Sequence, residues 1–321
     1  MSWQNPPSFL NKLTASQQGG NRGAQLWGVD FKGTLYTIYQ ETPGGTWSGW
    51  KGPDWNGANR PKQVYELAAC QRHDGTVQLW VLDMKRQLWT TWQNSPGGNW
   101  NGWHNDWNRP PGTFKFKKIA ASQLQQTSGQ PARFWGITED GILTSCAEIA
   151  PAGNWGGWGD WKKTPEDSRW IEVTACKQGD GKGAIWAIDT KKQLWGMGQA
   201  SPGGDWGPWS GPNWLNAPKV GNIAAVELGG EMGACIWALT DNYKTIFNWQ
   251  TKPGANNWWG WGQGDNEDKM RAYEITAAGQ NNKRQIVWVI SLKQTLHAMT
   301  TDNTSPNGWQ RFWTPPPPEN K

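Results

Sequence analysis

The chain has 321 residues, of which 36% are apolar and 18% charged, with 29 Trp, 41 Gly and a net charge of +5. So few aliphatic side chains cannot fill a core alone, whereas each indole can bury on the order of 200 Å², so the core has to be built from tryptophan. No run approaches the roughly 18 consecutive apolar residues of a membrane helix, and Lys and Arg are spread along the sequence, so neither membrane insertion nor nucleic acid is an expected partner.

Met1 to Pro7 has neither a basic n-region nor an apolar h-region, which predicts a protein that stays in the cytoplasm or is released without a signal peptide. Ser2-Trp3-Gln4-Asn5-Pro6-Pro7 echoes Asp106-Trp107-Asn108-Arg109-Pro110-Pro111, so the N-terminus is expected to dock as an inter-repeat linker does elsewhere. From residue 9 onward one unit of about 52 residues recurs six times. A Trp in a short apolar run marks each copy: Trp27, Trp80, Trp135, Trp186, Trp237 and Trp288, at spacings of 53, 55, 51, 51 and 51. Thirteen residues after each comes Gln40, Gln93, Glu148, Gln199, Gln250 and, as the outlier, Thr301. Then follows Pro43-Gly44-Gly45-Thr46-Trp47-Ser48-Gly49-Trp50 and its counterparts ending at Trp103, Trp158 and Trp209. The fifth and sixth copies are looser around Trp261 and Trp313.

Within the second copy four runs have strand length: Glu66–Cys70, Val77–Leu82, Gln87–Trp92 and Trp100–Trp103, separated by turn signals such as His73-Asp74-Gly75 and Pro96-Gly97-Gly98. A small four-stranded sheet cannot bury both faces by itself, so neighbouring copies must cover one another. The sequence therefore predicts an all-β fold, a six-bladed β-propeller with four antiparallel strands per blade. The blades fall at about 9–55, 63–107, 115–161, 170–214, 220–264 and 272–314 of a single domain, and residues 315–321 form an extended proline-rich tail.

The order of landmarks, an apolar run with Trp, a Gly-containing turn, Leu-Tyr or Leu-Trp, then Pro-Gly-Gly-x-Trp-x-Gly-Trp, resembles the tectonin-like propeller lectins of fungi and insect-associated bacteria. The resemblance covers about residues 9–314. It implies a propeller without catalytic activity or cofactor that holds N-acetylglucosamine, fucose or O-methylated sugars between blades, N-acetylglucosamine being favoured here. Glycans on glycoproteins or cell surfaces would be the partners, bound multivalently, and homo-oligomerisation is left open. Three departures stand out: Thr144-Ser145-Cys146 in the third copy, Trp258-Trp259 in the fifth, and no Pro-Gly-Gly in the sixth.

No residue constellation breaks the repeat in the way one catalytic centre would require. His73, His104 and His297 fall at different repeat positions, while Asp30, Asp83 and Asp189 share one position and Glu66, Glu172 and Glu274 another. That recurrence marks the acids as structural or as parts of repeated sites, which disfavours the rival glycosidase reading. Cys70, Cys146, Cys176 and Cys235 form no CxxC pair and read as buried free thiols, with no metal site. The mid-strand Trp row reads as blade packing. The outer row, Trp50, Trp103, Trp158, Trp209, Trp261 and Trp313, lies among Gly and polar residues and is the candidate platform for sugar rings. Linker pairs would supply polar partners: Trp55 with Arg60, Trp107 with Arg109, Trp161 with Arg169, then Trp214 without Arg, and Arg271 in the fifth linker. The same linkers read alternatively as surface segments closed by Arg–carboxylate pairs, and the same repeated surface could serve a protein-interaction propeller that binds peptides.

Overall fold

The computed structural model describes residues 9–52, 60–105, 107, 115–124, 132–150, 154–161, 169–228, 233–252, 257–264, 271–280, 284–302 and 309–312. They form six antiparallel sheets, each drawn from one continuous segment. The first holds β1 (Leu10–Gln17), β2 (Ala24–Asp30) and β3 (Leu35–Tyr39); the second holds β4 (Val64–Gln71), β5 (Val77–Asp83) and β6 (Leu88–Trp92). The third runs through β7 (Phe116–Gln123), β8 (Ala132–Thr138) and β9 (Leu143–Ala150), with β10 (Asn154–Trp155) and β11 (Gly159–Asp160) both pairing β9. The fourth has β12 (Trp170–Lys177), β13 (Gly183–Asp189) and β14 (Leu194–Gly198). The fifth has β15 (Val220–Glu227), β16 (Ala234–Thr240), β17 (Thr245–Trp249) and β18 (Gly262–Gln263). The sixth has β19 (Ala272–Gln280), β20 (Arg284–Ser291), β21 (Leu296–Asp302) and β22 (Trp309–Phe312). The first strands β1, β4, β7, β12, β15 and β19 pack side by side in a ring, and β19 against β1 closes it.

Four strands per blade holds only for the fifth and sixth sheets. In the first, second and fourth the outer segment is tied on by isolated bridges, such as Gln40 with Trp47 and Thr37 with Lys51 in the first. The Gly-rich Trp-Ser-Gly-Trp segment has too little side chain to hold a continuous ladder, and glycine weakens a strand interior. The N-terminal docking segment, the tail and Trp313 lie outside the described residues.

Each first strand carries a bulge near its start, between Leu10 and Lys12, Val64 and Glu66, Phe116 and Lys118, Trp170 and Glu172, Val220 and Asn222, and Ala272 and Glu274. A bulge re-aims the side chain that follows it, and here that residue is Lys12, Glu66, Lys118, Glu172, Asn222 or Glu274 in turn. Charge alternates around the axis until Asn222. Lys118 Nζ lies 3.2 Å from Glu66 and 2.8 Å from Glu172, and Lys12 Nζ donates to Glu274 at 2.8 Å. Asn222 Nδ2 donates to Glu274 at 3.0 Å. Burial pushes the Glu66 carboxyl up, against the pull of Lys118 and Lys12. Burial alone would lower the Lys118 ammonium, but Glu172 and Glu66 outweigh it and hold it well above its ordinary value. The recurring glutamates are thus members of an ion-pair ring whose lysine half the recurrence of Glu alone did not reveal.

The turns between second and third strands are pinned by the residue that ends the second strand. Asp83 Oδ1 accepts from the backbone N–H of Lys85 and of Gln87, each at 2.9 Å, and its Oδ2 accepts from Trp89 Nε1 at 3.1 Å. Asp30 and Asp189 hold Lys32 and Thr34, and Lys191 and Gln193, in the same way. These turns need a left-handed residue, which is Gly33 or Gly141 in two copies but Arg86, Lys192, Tyr243 and Gln294 in the others. Replacing Asp83 by Ala strands three donors and is expected to cost about 1–3 kcal/mol, read as a fall in the urea midpoint with the β-sheet circular dichroism unchanged.

Adjacent blades are latched beside the Gln row. Gln93 Oε1 accepts from the Val77 N–H at 3.0 Å within its own blade, while its Nε2 donates to Gln18 of the preceding blade at 3.3 Å. Gln250 pairs with Gln178 at 2.8 Å and Gln280 with Gln40 at 3.0 Å, the last across the closure. Between the second and third blades both partners change together: Arg72 donates to Glu148 Oε1 at 3.1 and 2.6 Å. In the two remaining interfaces Leu124 and Leu228, both buried, stand at the first position. All four cysteines are buried and none is in a disulfide.

Candidate functional site

The mid-strand Trp row is fully buried, as its aliphatic neighbours predicted. Every member except Trp237, which meets Phe247 of its own blade at 4.8 Å, packs edge to face against the first Trp of the motif segment in an adjoining blade. Trp27 meets Trp100 at 5.7 Å, Trp80 meets Trp155 at 5.6 Å, Trp135 meets Trp206 at 6.3 Å, and Trp186 meets Trp258 at 5.9 Å. Trp47 closes the circle on Trp288 at 5.9 Å. A linker Trp completes three of these clusters: Trp107 lies 4.9 Å from Trp155, Trp161 5.0 Å from Trp206, and Trp214 4.7 Å from Trp258. Such T-shaped pairs add about 0.5–1.5 kcal/mol each beyond their buried area.

The outer Trp row also sits in these interfaces. Trp103 is only 5% exposed and packs with Trp27 and Leu35. Trp158 lies 5.3 Å from Phe116, and Trp209 lies 4.7 Å from Trp170. Trp50 and Trp261 are half-buried against the first–sixth and fourth–fifth interfaces. Trp55 and Arg109 lie outside the described residues, and Arg60 is half-buried. Arg169 and Arg271 are exposed at the starts of β12 and β19. Arg169 donates to the Asp140 carbonyl, and the Arg271 carbonyl accepts from the Leu292 N–H at 2.8 Å.

The arginine that does meet a linker Trp is Arg133, two residues before Trp135. Its guanidinium carbon lies 4.8 Å from the Trp161 ring centre, and Nη1 donates to Ser145 Oγ at 2.9 Å. Burial lowers its pKa to about 10, which leaves it charged at neutral pH. The Trp161 Nε1 is buried and finds no acceptor among the described residues. The same polar pair recurs in the first two blades, where Gln25 Nε2 donates to Thr37 Oγ1 at 2.9 Å and Gln78 Nε2 to Thr90 Oγ1 at 3.0 Å. In the last three blades the corresponding positions are Ala184 with Gly196, Cys235 with Phe247, and Ile286 with Ala298. In the fourth blade the space is filled: a Cβ at Gly196 would lie 2.7 Å from the Trp214 indole nitrogen. The six interfaces are therefore not equivalent.

The axial cavity offers a contrast. It holds about 90 Å³ between the first strands, well below the 300–1,000 Å³ of ordinary ligand pockets, and its glutamates are tied to Lys12, Lys118 and Asn222.

No known family profile matches the sequence, and no curated protein resembles it. Solved structures do share the fold. The fucose-specific lectin from Aleuria aurantia superposes with a TM-score of 0.71 at 15% identity, over 96% of this chain and 97% of that one. The BP39L lectin from Burkholderia pseudomallei gives 0.64 at 17% identity, over 97% and 87%. AofleA from Arthrobotrys oligospora gives 0.64 at 12%, over 94% and 85%. A further structure of the Aleuria aurantia lectin, described as a six-bladed β-propeller, covers 97% of this chain and 98% of its own with a TM-score of 0.67. These likenesses make the present fold a six-bladed β-propeller, and the Aleuria aurantia and Burkholderia pseudomallei proteins are described as lectins, though none carries the tectonin name.

Proposed function

We propose that this chain is a carbohydrate-binding lectin without catalytic activity, and that its best-formed site lies between the third and fourth blades at Arg133, Ser145 and Trp161. The observation that carries the reading is the guanidinium held over the Trp161 ring beside a hydroxyl. A pyranose offers an apolar C–H face to an indole and oxygens to charged donors, so this interface supplies both halves of the recognition. The Gln25–Thr37 and Gln78–Thr90 pairs are the basis for up to two weaker sites of the same kind, fewer than the six that the repeat number suggests. A fucoside replaces N-acetylglucosamine as the first ligand to try, since the Aleuria aurantia lectin is described as fucose-specific. The ion-paired, narrow axis argues against the glycosidase alternative. Each site should bind a monosaccharide with only about 4–6 kcal/mol, millimolar to tens of micromolar, and dense glycans more tightly through linked contacts.

The test is Arg133→Ala against a glycan array, followed by titration of the best ligand. Loss of a charge-assisted hydrogen bond of about 1.5–3 kcal/mol predicts affinity at that site lowered by roughly 10- to 150-fold. An Arg133→Ala protein that stays folded and binds the same glycans with the parent's affinity would remove the site from the proposal. Sugar-independent binding of peptides would favour the protein-interaction reading.

A further inference from the structure

One end of the propeller collects the turns between second and third strands, the starts of the first strands and the linkers. The residue after the capping Asp or Ser points outward in these turns, because the cap side chain folds back over it to hold the N–H groups that follow. In three consecutive blades around the ring, the sixth, first and second, that residue is large and apolar. Leu292 is 47% exposed, Phe31 57% and Met84 63%, and Phe9, beside Phe31 at the strand start, is 48% exposed. Each of the three is followed by a lysine: Lys293, Lys32 and Lys85. Among the described residues none of these three lysines has a carboxylate within ion-pair distance. The corresponding turn residues of the other three blades are Glu139, Thr190 and Asp241. There the acids are taken up by the neighbouring blade, Glu139 by Arg86 at 3.5 Å and Asp241 by Lys192 at 2.7 Å. The three turn lysines thus stand beside the apolar tips, while Lys115, Lys191 and Lys219 carry positive charge on the same end in the other three blades.

We propose that this crescent docks the propeller onto an anionic lipid bilayer, with Leu292, Phe31 and Met84 entering the headgroup boundary and Lys293, Lys32 and Lys85 meeting the lipid phosphates and carboxylates. Apolar tips standing singly on separate rigid turns, each with its own cation, suit a fluid interface that can close around every tip. A protein partner would instead need one contiguous apolar patch. A second copy of the chain docked by the same end would set the lysine crescent against itself, which like-charge repulsion opposes. Apolar depth and attraction to anionic lipid act together in such surface binding. No helix of the described residues is long and apolar enough to cross a membrane, and none is required, since the chain would lie on the surface. The inference stands apart from the sugar site, because it uses none of its residues.

The experiment is co-sedimentation of the full chain with glycolipid-free vesicles of phosphatidylcholine, with and without phosphatidylserine. Binding is expected only with phosphatidylserine and should weaken as salt rises. The triple variant Lys32→Gln, Lys85→Gln, Lys293→Gln should bind roughly 10²-fold less tightly. The triple variant Phe31→Ser, Met84→Ser, Leu292→Ser should lose at least about tenfold. Circular dichroism accompanies each variant, and if a triple fails to fold, the single exposed change Met84→Ser carries the test. Absence of binding to phosphatidylserine vesicles overturns the proposal. So does binding that the apolar substitutions leave unchanged, which would mean adsorption to any polyanion.

Discussion

Replacing Trp80 by Ala is expected to lower the unfolding free energy by about 3–5 kcal/mol, a large share of the 5–15 kcal/mol of an ordinary domain. Trp80 is fully buried and meets Phe134 at 5.6 Å and Trp155 at 5.6 Å across the interface to the third blade, and Trp107 of its own linker at 5.6 Å. A cavity of indole size cannot collapse there, because the backbones on either side are separate sheets fixed by their own ladders. Urea unfolding measures the loss. A cost under about 1 kcal/mol would mean that the Trp clusters are not what joins the blades.

The Arg72–Glu148 latch predicts a comparable loss with a distinctive rescue. Both side chains are buried, at 4% and 0% exposure, so Arg72→Gln or Glu148→Gln alone leaves a charge without its counter-ion and should cost about 3–5 kcal/mol. The double variant restores the Gln–Gln pair that joins Gln93 to Gln18 and Gln250 to Gln178. It should recover most of the loss, giving a coupling energy of about 2 kcal/mol or more in a double-mutant cycle. Additive losses would contradict the equivalence of the latches.

The period, the six copies and the buried Trp row were legible because each depends on residues recurring at a fixed spacing. What depends on neighbours in space was harder to read. Glu66, Glu172 and Glu274 were visible as a recurring position, but their ring partners Lys12 and Lys118 occupy that position in the intervening copies, so a search for identity passed over an alternation. Lys32, Lys85 and Lys293 look dispersed along the chain but share one end of the propeller, since a residue repeated once per blade is spaced widely in sequence and closely in space. Arg169 follows Trp161 in the chain, yet Arg133 reaches that indole across the sheet, from β8 past β9. A signal for it was present: the residue two before the marker Trp is polar in the first three copies, Gln25, Gln78 and Arg133, and apolar in the last three. The fourth strand was overestimated because the Pro-Gly-Gly motif marks a path that the chain follows while bridging only at a few points.

The most direct test of the carbohydrate reading is calorimetric titration of the purified chain with methyl α-L-fucoside and with N-acetylglucosamine, under conditions suited to millimolar affinities. The account predicts saturable heat with a fucoside or a related sugar, about one to three sites per chain, and loss of the strongest site in Arg133→Ala. No heat with either sugar, together with no binding across a glycan array by a chain shown to be folded, would contradict it.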